Sequence, residues 1–226
     1  MAGDVLLRRP GAILFDLDGT LADTAPDLAA AVNLLRTDRG LAPAPYETLR
    51  PVASAGARGL IGAAFGITPQ DERYPELRDA FISNYIAAIA KHSTLFDGVN
   101  ALLTELECRS IAWGIVTNKA GYLTTLLVPQ IGLAHAGCVV SGDTTAHSKP
   151  HPAPLFEAAR RIAMSPENCW YVGDDLRDID AGRAAGMATV AAGWGYCGMT
   201  EPRSWLADVV LDTPRGLIDL LERCRT

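Results

Sequence analysis

The sequence predicts an α/β fold in which a doubly wound (Rossmann-like), mostly parallel sheet carries an inserted all-helical domain. Three observations predict it: short apolar runs alternate with segments of helical period, Gly or Asp follows several of these runs, and one early interval holds helical patterns without a strand. Runs that are apolar throughout are typical of parallel strands covered on both faces. Strands alternating with helices build such a sheet.

Composition excludes several classes of protein. The chain has 226 residues, of which 49% are hydrophobic and 20% charged, so it can bury a large core. Its net charge of −6 argues against a partner bound by bulk positive charge, such as a nucleic acid. No apolar run approaches the roughly 20 residues that cross a bilayer. Five cysteines without a C-x-x-C spacing argue against disulfides or zinc, and we expect a cytoplasmic protein.

Six apolar runs predict the strands of the sheet. In chain order they are Ala12–Phe15, Ile111–Val116, Cys138–Val140, Cys169–Val172, Ala188–Ala192 and Val209–Leu211. Apolar residues at helical spacing lie between them, for example Val99, Leu102, Leu103 and Leu106. The pattern therefore predicts a core made of residues 1–23 and 94–226.

The interval 24–93 predicts the helical insertion. Thr24, with Asp27 three residues later, resembles a capping box that opens its first helix. Apolar stripes then predict two longer helices, and the Pro- and Gly-rich piece 42–59 predicts a linker, a short helix and a turn. The stripes are Leu28, Val32 and Leu35, and then Leu77, Phe81, Ile82, Tyr85, Ile86 and Ile89. No strand is expected in this interval.

Two aspartates directly follow the first predicted strand. Asp16 and Asp18 stand two residues apart, and Gly19 comes next. In an open α/β sheet ligands bind at the carboxyl ends of the strands. Carboxylates this close need a cation or a shared proton, and glycine permits a turn that aims backbone amides inward. An ordinary Asp-Gly turn is the alternative.

Polar residues also follow the next two predicted strands. Thr117 and Asn118 come after the second strand, where a hydroxyl and backbone amides can hold an anionic oxygen or simply cap the following helix. Lys149 lies between the third and fourth strands, beside prolines that stiffen its segment. A surface lysine is the alternative there, and its place on the same rim of the sheet favours a functional role.

A second acidic group follows the fourth predicted strand. Asp174 and Asp175 come directly after Gly173, and Asp178 stands further on. Carboxylates suit a hard divalent cation such as Mg²⁺, although acids at a helix N-terminus are also favoured by the helix dipole. Together the four strand ends supply a carboxylate nucleophile, a metal site and fixed positive charge, which suits phosphoryl transfer.

These segments resemble the haloacid dehalogenase-like hydrolase superfamily. DLDGT at 16–20, Thr117, Lys149 within KPHP, and GDDLRD at 173–178 match its four motifs in order. The likeness covers essentially the whole chain and is strongest to the phosphoglycolate phosphatase-type branch. It implies that the insertion 24–93 is that family's helical cap, which we call the cap below.

The resemblance implies a set of catalytic roles. Asp16 would be the nucleophile that forms an aspartyl-phosphate, and Asp18 would protonate the leaving alcohol and then activate water. Asp174, the Asp16 side chain and the Asp18 backbone carbonyl would bind Mg²⁺. An aspartate at position 18 is what the resemblance requires for phosphatase or phosphomutase chemistry.

The resemblance also implies the residues that support this chemistry. Thr117 and the amide of Asn118 would hold phosphoryl oxygens, and Lys149 would neutralise their charge. Asp178 would orient Lys149 or a metal-bound water, and Asp175 would act in a similar way.

The cap is expected to select the substrate. Segment 54–60 is the predicted loop that faces the core, where Gly56 and Gly59 let the backbone approach a ligand and Arg58 can pair with a carboxylate, although a solvent-exposed arginine is the alternative. This favours a small phosphorylated substrate, phosphoglycolate first, with N-acetylmuramic acid 6-phosphate or another sugar phosphate as the alternative. A phosphomutase or a phosphate-responsive regulator stays open, as does the choice between monomer and homodimer.

Overall fold

A parallel sheet of six strands forms the centre of the protein, seen in a computed structural model that describes residues 7–224. Residues 1–6 and 225–226 of the predicted core lie outside the described part. The strands of the whole described chain are β1 Ala12–Phe15, β2 Ala22–Asp23, β3 Thr94–Leu95, β4 Ala112–Val116, β5 Val139–Val140, β6 Cys169–Gly173, β7 Ala188–Ala192 and β8 Val209–Leu211.

The strand order β5-β4-β1-β6-β7-β8 places β1, the first strand of the chain, in the middle of the sheet. Ile13 of β1 pairs with Trp113 of β4 on one side and Trp170 of β6 on the other, and all four residues of β1 are fully buried. From β1 the chain builds outward through β4 and β5, and then returns to β6. This reversal is a topological switch point, where the carboxyl ends of the strands form a crevice.

Helices cover the sheet. They are α5 Val99–Cys108, α6 Gly121–Gln130, α7 Ala153–Arg161, α8 Leu176–Ala184 and α9 Arg215–Arg223, with short 3-10 turns at Pro166–Asn168 and Pro202–Ser204. The predicted fold class is therefore confirmed. All six predicted strands are present, with ends that shift by one residue in β4, β5 and β6. Among the described residues, none belongs to a helix that combines the length and apolarity needed to cross a bilayer.

Four helices and one 3-10 turn make up the cap between β2 and β3. They are α1 Ala25–Thr37, α2 Tyr46–Leu49, the turn Arg50–Ala55, α3 Gly56–Phe65 and α4 Tyr74–Ala87. α1 packs on α4 through apolar stripes, and Val32 and Tyr85 are among the buried residues. The predicted α4 stripe is wrong at Ile86, which is exposed. Piece 42–59, predicted to end in a turn, instead continues into α3.

A two-stranded antiparallel ribbon joins the cap to the core. Ala22 of β2 pairs with Leu95 of β3, and Asp23 pairs with Thr94. Strands this short carry no apolar pattern of their own, so the sequence analysis did not predict them. The boundary at 24–93 stays a prediction.

The predicted capping box at Thr24 and Asp27 is wrong. The Thr24 side chain makes no capping bond and donates instead to Asp18. The Asp27 carboxylate accepts bonds from the backbone N–H groups of His92 and Ser93 and from the Ser93 hydroxyl, at 2.7–3.0 Å. Both side chains have tertiary partners, and these outweigh a local cap. A capping box does open α8, between Asp175 and Asp178.

Candidate active site

Buried carboxylates meet at the switch point of the sheet. Asp16 follows β1, Asp174 follows β6, and Asp178 lies in the first turn of α8. One carboxylate oxygen from each of the three lies within 4.8 Å of the others, and all three side chains are buried. Because parallel strands end on the same edge, residues far apart in sequence come together here.

Lys149 supplies positive charge to this cluster. Its Nζ atom lies 2.8 Å from Asp16 Oδ1 and 2.7 Å from Asp178 Oδ1. It also donates to the Val116 carbonyl at 2.9 Å and to the Tyr171 hydroxyl at 2.8 Å. Burial alone would lower the pKa of Lys149, but the two carboxylates raise it, so the ammonium stays charged. The structure thus brings Lys149 to the predicted rim.

Asp16 combines burial with an unsatisfied oxygen. Among the described residues, Asp16 Oδ1 is one of two buried side-chain oxygens without a hydrogen-bond partner, because the nearby ammonium pairs with it outside hydrogen-bond geometry. Burial, together with the charges of Asp178 and Asp18, raises the pKa of Asp16 to about 7 against the opposing effect of Lys149.

Asp174 is fixed from both sides. Its carboxylate accepts from the Thr20 hydroxyl at 3.0 Å and from the Tyr196 backbone N–H at 2.9 Å. Burial and the neighbouring carboxylates Asp16 and Asp178 raise its pKa well above its ordinary value. Gly19 has a positive φ of 88°, and a Cβ atom there would lie 2.1 Å from Asp174 Oδ2. The close approach of these two strand ends therefore requires glycine.

Asp18 turns away from the carboxylate cluster. Its Oδ1 atom lies 3.1 Å from Lys119 Nζ and also accepts from the Thr24 hydroxyl. Lys119 in turn donates to the hydroxyl of Tyr85, a cap residue on α4, at 3.3 Å. Burial lowers the pKa of Lys119, but Asp18 and Tyr85 raise it more, so Lys119 is a buried cation beside Asp18.

Thr117 and Asn118 lie where β4 ends, beside Lys149. The Thr117 hydroxyl accepts from the Lys119 backbone N–H at 3.1 Å, and Thr117 is buried. The Asn118 side chain bonds both backbone groups of Lys149, accepting from its N–H and donating to its carbonyl at 3.0 Å each. Asn118 therefore also positions the segment that carries Lys149.

Asp175 lies at the edge of the cluster and holds an arginine. Its carboxylate accepts from Nε and from a terminal nitrogen of Arg177 at 2.8 Å each. Arg177 also donates to the backbone carbonyl of Ser54, in the cap, at 3.1 Å. Asp178, by contrast, faces Lys149 and Tyr171. A role for Asp178 in orienting Lys149 therefore fits the geometry, whereas Asp175 orients Arg177.

Two adjoining cavities open at these residues. The smaller, of about 30 Å³, is lined by Asp16, Asp18, Ser54, Thr117, Asn118, Lys119, Lys149, Asp175, Arg177 and Asp178. The larger, of about 310 Å³, lies between the cap and the core, and most of its remaining lining is apolar, including Leu28, Phe81, Ile82, Tyr122 and Leu123. The residues that line both cavities are Asp18, Ser54, Asn118, Lys119 and Arg177.

The structure brings the predicted site residues together with one exception. Arg58 lies on α3, is exposed and lines neither cavity. The arginine that does line them is Arg177. The predicted loop 54–60 is instead the end of the 3-10 turn and the first part of α3, and its residues Ser54 and Gly56 line the larger cavity.

Sequence reasoning missed Arg177, Lys119 and Tyr85. Lys119 stands two residues after Thr117 at a strand end, and this position could have marked it as a candidate site residue. Arg177 stands between two aspartates of the fourth motif, which was likewise a signal. Tyr85 carried only the pattern of a core residue. Its contact with Lys119 depends on the fold.

The arrangement fits a divalent cation and a phosphoryl group. Three buried carboxylates meet one ammonium, so the cluster has an excess of negative charge that a cation would balance. The donors are carboxylate oxygens, which hard cations prefer. Lys149 and the backbone amides after Thr117 face the small cavity, where they can hold anionic oxygens.

Comparison with known proteins gives consistent matches. A family model described as haloacid dehalogenase-like hydrolase matches residues 13–192. The chain is 48% identical to a phosphoglycolate phosphatase of Xanthomonas campestris, covering 93% of this chain and 96% of the relative. It is 40% identical to an N-acetylmuramic acid 6-phosphate phosphatase of Pseudomonas aeruginosa, covering 94% and 95%. A crystal structure of a predicted phosphoglycolate phosphatase from Haemophilus somnus has a TM-score of 0.84 at 25% identity, covering 94% of this chain and 98% of that chain.

Proposed function

The chain belongs to the haloacid dehalogenase-like hydrolase family and is a phosphatase of the phosphoglycolate phosphatase type, and from this premise we propose that it hydrolyses a small phosphorylated metabolite through an aspartyl-phosphate on Asp16, with Mg²⁺ as cofactor. The observation that carries the proposal is the buried Asp16 carboxylate, which lies 2.8 Å from the Lys149 ammonium, belongs to the carboxylate cluster with Asp174 and lines the small cavity.

Asp16 is the proposed nucleophile. One of its carboxylate oxygens attacks phosphorus, a bond forms between that oxygen and phosphorus, and the phosphorus–oxygen ester bond breaks. Fixed positive charge at Lys149 stabilises the charge on the phosphoryl oxygens in the transition state. Thr117 and the backbone amide of Asn118 hold those oxygens in place. Splitting hydrolysis into two transfers is the general advantage of a covalent intermediate.

Asp18 is the proposed general acid and base. It lies on the wall that the two cavities share, which is where the ester oxygen lies when the phosphoryl group is in the small cavity and the leaving group is in the large one. Asp18 gives its proton to the leaving oxygen. It then takes a proton from the water that attacks the aspartyl-phosphate, which restores Asp16 and releases phosphate. General acid–base catalysis of this kind contributes about 10²–10⁴-fold.

Mg²⁺ is the proposed cofactor, and the residues present fit it. Asp16 and Asp174 would hold it with their carboxylates, and Asp18 would add its backbone carbonyl. When bound, the cation would polarise a phosphoryl oxygen and offset the charge of the carboxylates. Asp178 is close enough to join the same cluster, although its ion pair with Lys149 favours a role in orienting that lysine.

Two substrates are proposed in order. Phosphoglycolate comes first, because a relative that is 48% identical is a phosphoglycolate phosphatase and the cationic side chains Lys119 and Arg177 line both cavities. N-acetylmuramic acid 6-phosphate, or another sugar phosphate, comes second. The larger cavity favours this second candidate, because its 310 Å³ lies within the range of about 300–1,000 Å³ typical of sites for larger organic ligands.

Phosphate release from both esters, with and without Mg²⁺, tests the proposal. Asp16→Asn is expected to abolish turnover while the variant remains folded, as its far-UV circular dichroism spectrum would show. Asp38→Asn, an exposed aspartate of the cap, is the matched control and should keep full activity. Normal hydrolysis by Asp16→Asn would refute the nucleophile. A positional isomer of the sugar phosphate in place of free phosphate would indicate a phosphomutase, and binding without turnover would indicate a regulator.

A further inference from the structure

Tyr196 contacts two parts of the molecule that are distant in sequence. It lies in the segment that follows β7, and it is buried. Its backbone N–H donates to the Asp174 carboxylate at 2.9 Å. Its hydroxyl lies where the chain leaves β2 for the cap, and accepts from the backbone N–H groups of Thr24 and Ala25 at 2.8 and 2.9 Å. One residue therefore contacts both the carboxylate cluster and the start of the cap.

The Tyr196 hydroxyl caps α1 from outside the helix. Ala25 is the first residue of α1, and the N–H groups at a helix N-terminus lack partners within the helix. The Thr24 side chain does not bond them, since it donates to Asp18 instead. The Tyr196 hydroxyl also donates to Asp23 Oδ1 at 3.1 Å, so both its acceptor capacity and its proton are used where β2 ends and α1 begins.

The segment that carries Tyr196 is anchored in the core. The indole Nε1 of Trp194 donates to the Thr20 carbonyl at 3.0 Å. Gly195 lies so close to the loop after β1 that a Cβ atom there would lie 2.3 Å from the Gly19 carbonyl oxygen. Both contacts hold the segment against that loop, so the Tyr196 hydroxyl is a fixed point for the first residues of the cap.

Thr24 connects this fixed point to Asp18. The Thr24 hydroxyl donates to Asp18 Oδ1, the same oxygen that lies 3.1 Å from Lys119 Nζ. Because both contacts fall on Oδ1, the other oxygen, Oδ2, is the one that can carry a proton to the substrate. The backbone of Thr24 is held by Tyr196 and its hydroxyl holds Asp18, so the direction of Oδ2 depends on the Tyr196 hydroxyl.

We propose that Tyr196 is a positioning residue for proton transfer: through Thr24, its hydroxyl sets where the Asp18 carboxyl lies relative to the ester oxygen of the substrate. The inference rests on the proposed phosphatase function, in which Asp18 gives its proton to the leaving oxygen. An alcohol leaving group needs this proton, whereas p-nitrophenolate is stable enough to leave without one. Tyr196 is therefore expected to assist the transfer from alkyl phosphates and not the transfer from p-nitrophenyl phosphate.

Tyr196→Phe tests the proposal with two classes of ester. The alkyl ester is phosphoglycolate or a hexose 6-phosphate, whichever the wild-type protein hydrolyses faster, and p-nitrophenyl phosphate is the reference. Because kcat/KM covers the steps up to release of the leaving group, it reports on the proton that Asp18 gives and not on the later attack by water. The ratio of kcat/KM for the alkyl ester to that for the reference is expected to fall about tenfold, a part of the roughly 10²–10⁴-fold that general acid–base catalysis contributes.

Tyr74→Phe is the matched control for the loss of a tyrosine hydroxyl. Tyr74 is partly buried at the start of α4 and lines neither cavity. Its variant should therefore keep the wild-type ratio of kcat/KM values. An equal loss on both esters in Tyr196→Phe would show a purely structural role for the hydroxyl and overturn the inference, and so would a ratio that matches Tyr74→Phe.

Thr24→Val gives a second route if Tyr196→Phe lowers the amount of folded protein. Valine keeps the backbone N–H that donates to Tyr196 but loses the hydroxyl that donates to Asp18, so the same ratio is expected to fall. Adding Tyr196→Phe to Thr24→Val should lower the ratio no further, because both residues act through the same contact. An unchanged ratio in Thr24→Val, or additive losses in the double variant, would overturn the inference. If the wild-type protein releases no phosphate from any of the esters, the proposed function itself fails.

Discussion

Glycine at position 19 shows how one residue makes the site possible. Its positive φ is a conformation that other residues rarely adopt, and a Cβ atom would also enter the space of the Asp174 carboxylate. The aspartate and the glycine of DLDGT at 16–20 therefore have different roles in the site. Asp16 belongs to the carboxylate cluster, and the glycine lets Asp174, at a second strand end, come close.

Gly19→Ala is expected to lower both activity and stability more than a glycine substitution elsewhere. Gly40 also has a positive φ, of 71°, but a Cβ atom there would meet nothing within 4 Å. Gly40→Ala should cost only the backbone penalty of about 1–2 kcal/mol, whereas Gly19→Ala adds the clash with Asp174. Chemical denaturation of both variants measures the difference. If both variants lose the same free energy of unfolding, the close approach of Gly19 to Asp174 does not contribute to stability.

The cysteines give a residue-scale prediction on reactivity. Burial raises the pKa of Cys138 and of Cys169 to about 11, whereas Cys108 is exposed. The thiolate is the reactive form, so a raised pKa makes these two thiols less reactive near pH 8, and reactivity should rise only as the pH approaches 11. Alkylation of the native protein followed by peptide mass mapping should modify Cys108 first. Early labelling of Cys138 or Cys169 would contradict this.

At the scale of elements, the link between the cap helices and the ribbon depends on a buried carboxylate. Asp27 of α1 is 3% exposed and accepts three backbone or hydroxyl donors from the chain that leads back into β3. It ties the first helix of the cap to the strand by which the chain leaves the cap. An acidic residue in the first turn of a helix would otherwise suggest only a favourable interaction with the helix dipole.

Asp27→Ala is expected to destabilise the protein by about 1–3 kcal/mol, because the buried N–H and hydroxyl donors of Ser93 and the part-buried N–H of His92 lose their acceptor. Asp38→Ala, just past the C-terminal end of the same helix, is exposed and serves as the control, with a change within about 0.5 kcal/mol. Urea unfolding of the two variants gives the comparison. The prediction fails if both variants unfold at the wild-type urea concentration.

Element boundaries also show which local signals were reliable. The six core strands were predictable because each is a continuous apolar run, as expected for strands buried on both faces. The ribbon of β2 and β3 was not, because two-residue strands have no periodicity. The α4 stripe was right where Leu77, Phe81 and Tyr85 are buried and wrong at Ile86, which helical spacing places on a neighbouring face.

For the whole molecule, the excess negative charge of the site couples cation binding to stability. A ligand that binds only the folded state stabilises it by about 2.7 kcal/mol at 100 times its dissociation constant. Mg²⁺ should therefore raise the unfolding temperature of the wild-type protein and should do so less in Asp174→Asn. Asp180→Asn, at an exposed position on α8, should respond like the wild type. An equal shift in all three proteins would place the cation elsewhere.

The amino-acid sequence alone determined the fold class, the order of the strands along the chain, the helical insertion and the polar residues at the strand ends. The strands and helices follow from local apolar patterns. The site residues follow from the acidic, hydroxyl and basic residue types that stand at the strand ends. The resemblance to a family then supplied a role for each of these residues.

Only the tertiary structure decided which of these residues meet and which neighbours they acquire. Lys119 pairs with Asp18 and touches Tyr85 of the cap, Arg177 takes the place at the cavities that Arg58 was expected to hold, and the Ser54 hydroxyl remains without a partner. The physical reason is that side-chain contacts between distant segments depend on how the cap sits on the core. No spacing within a single segment encodes that arrangement.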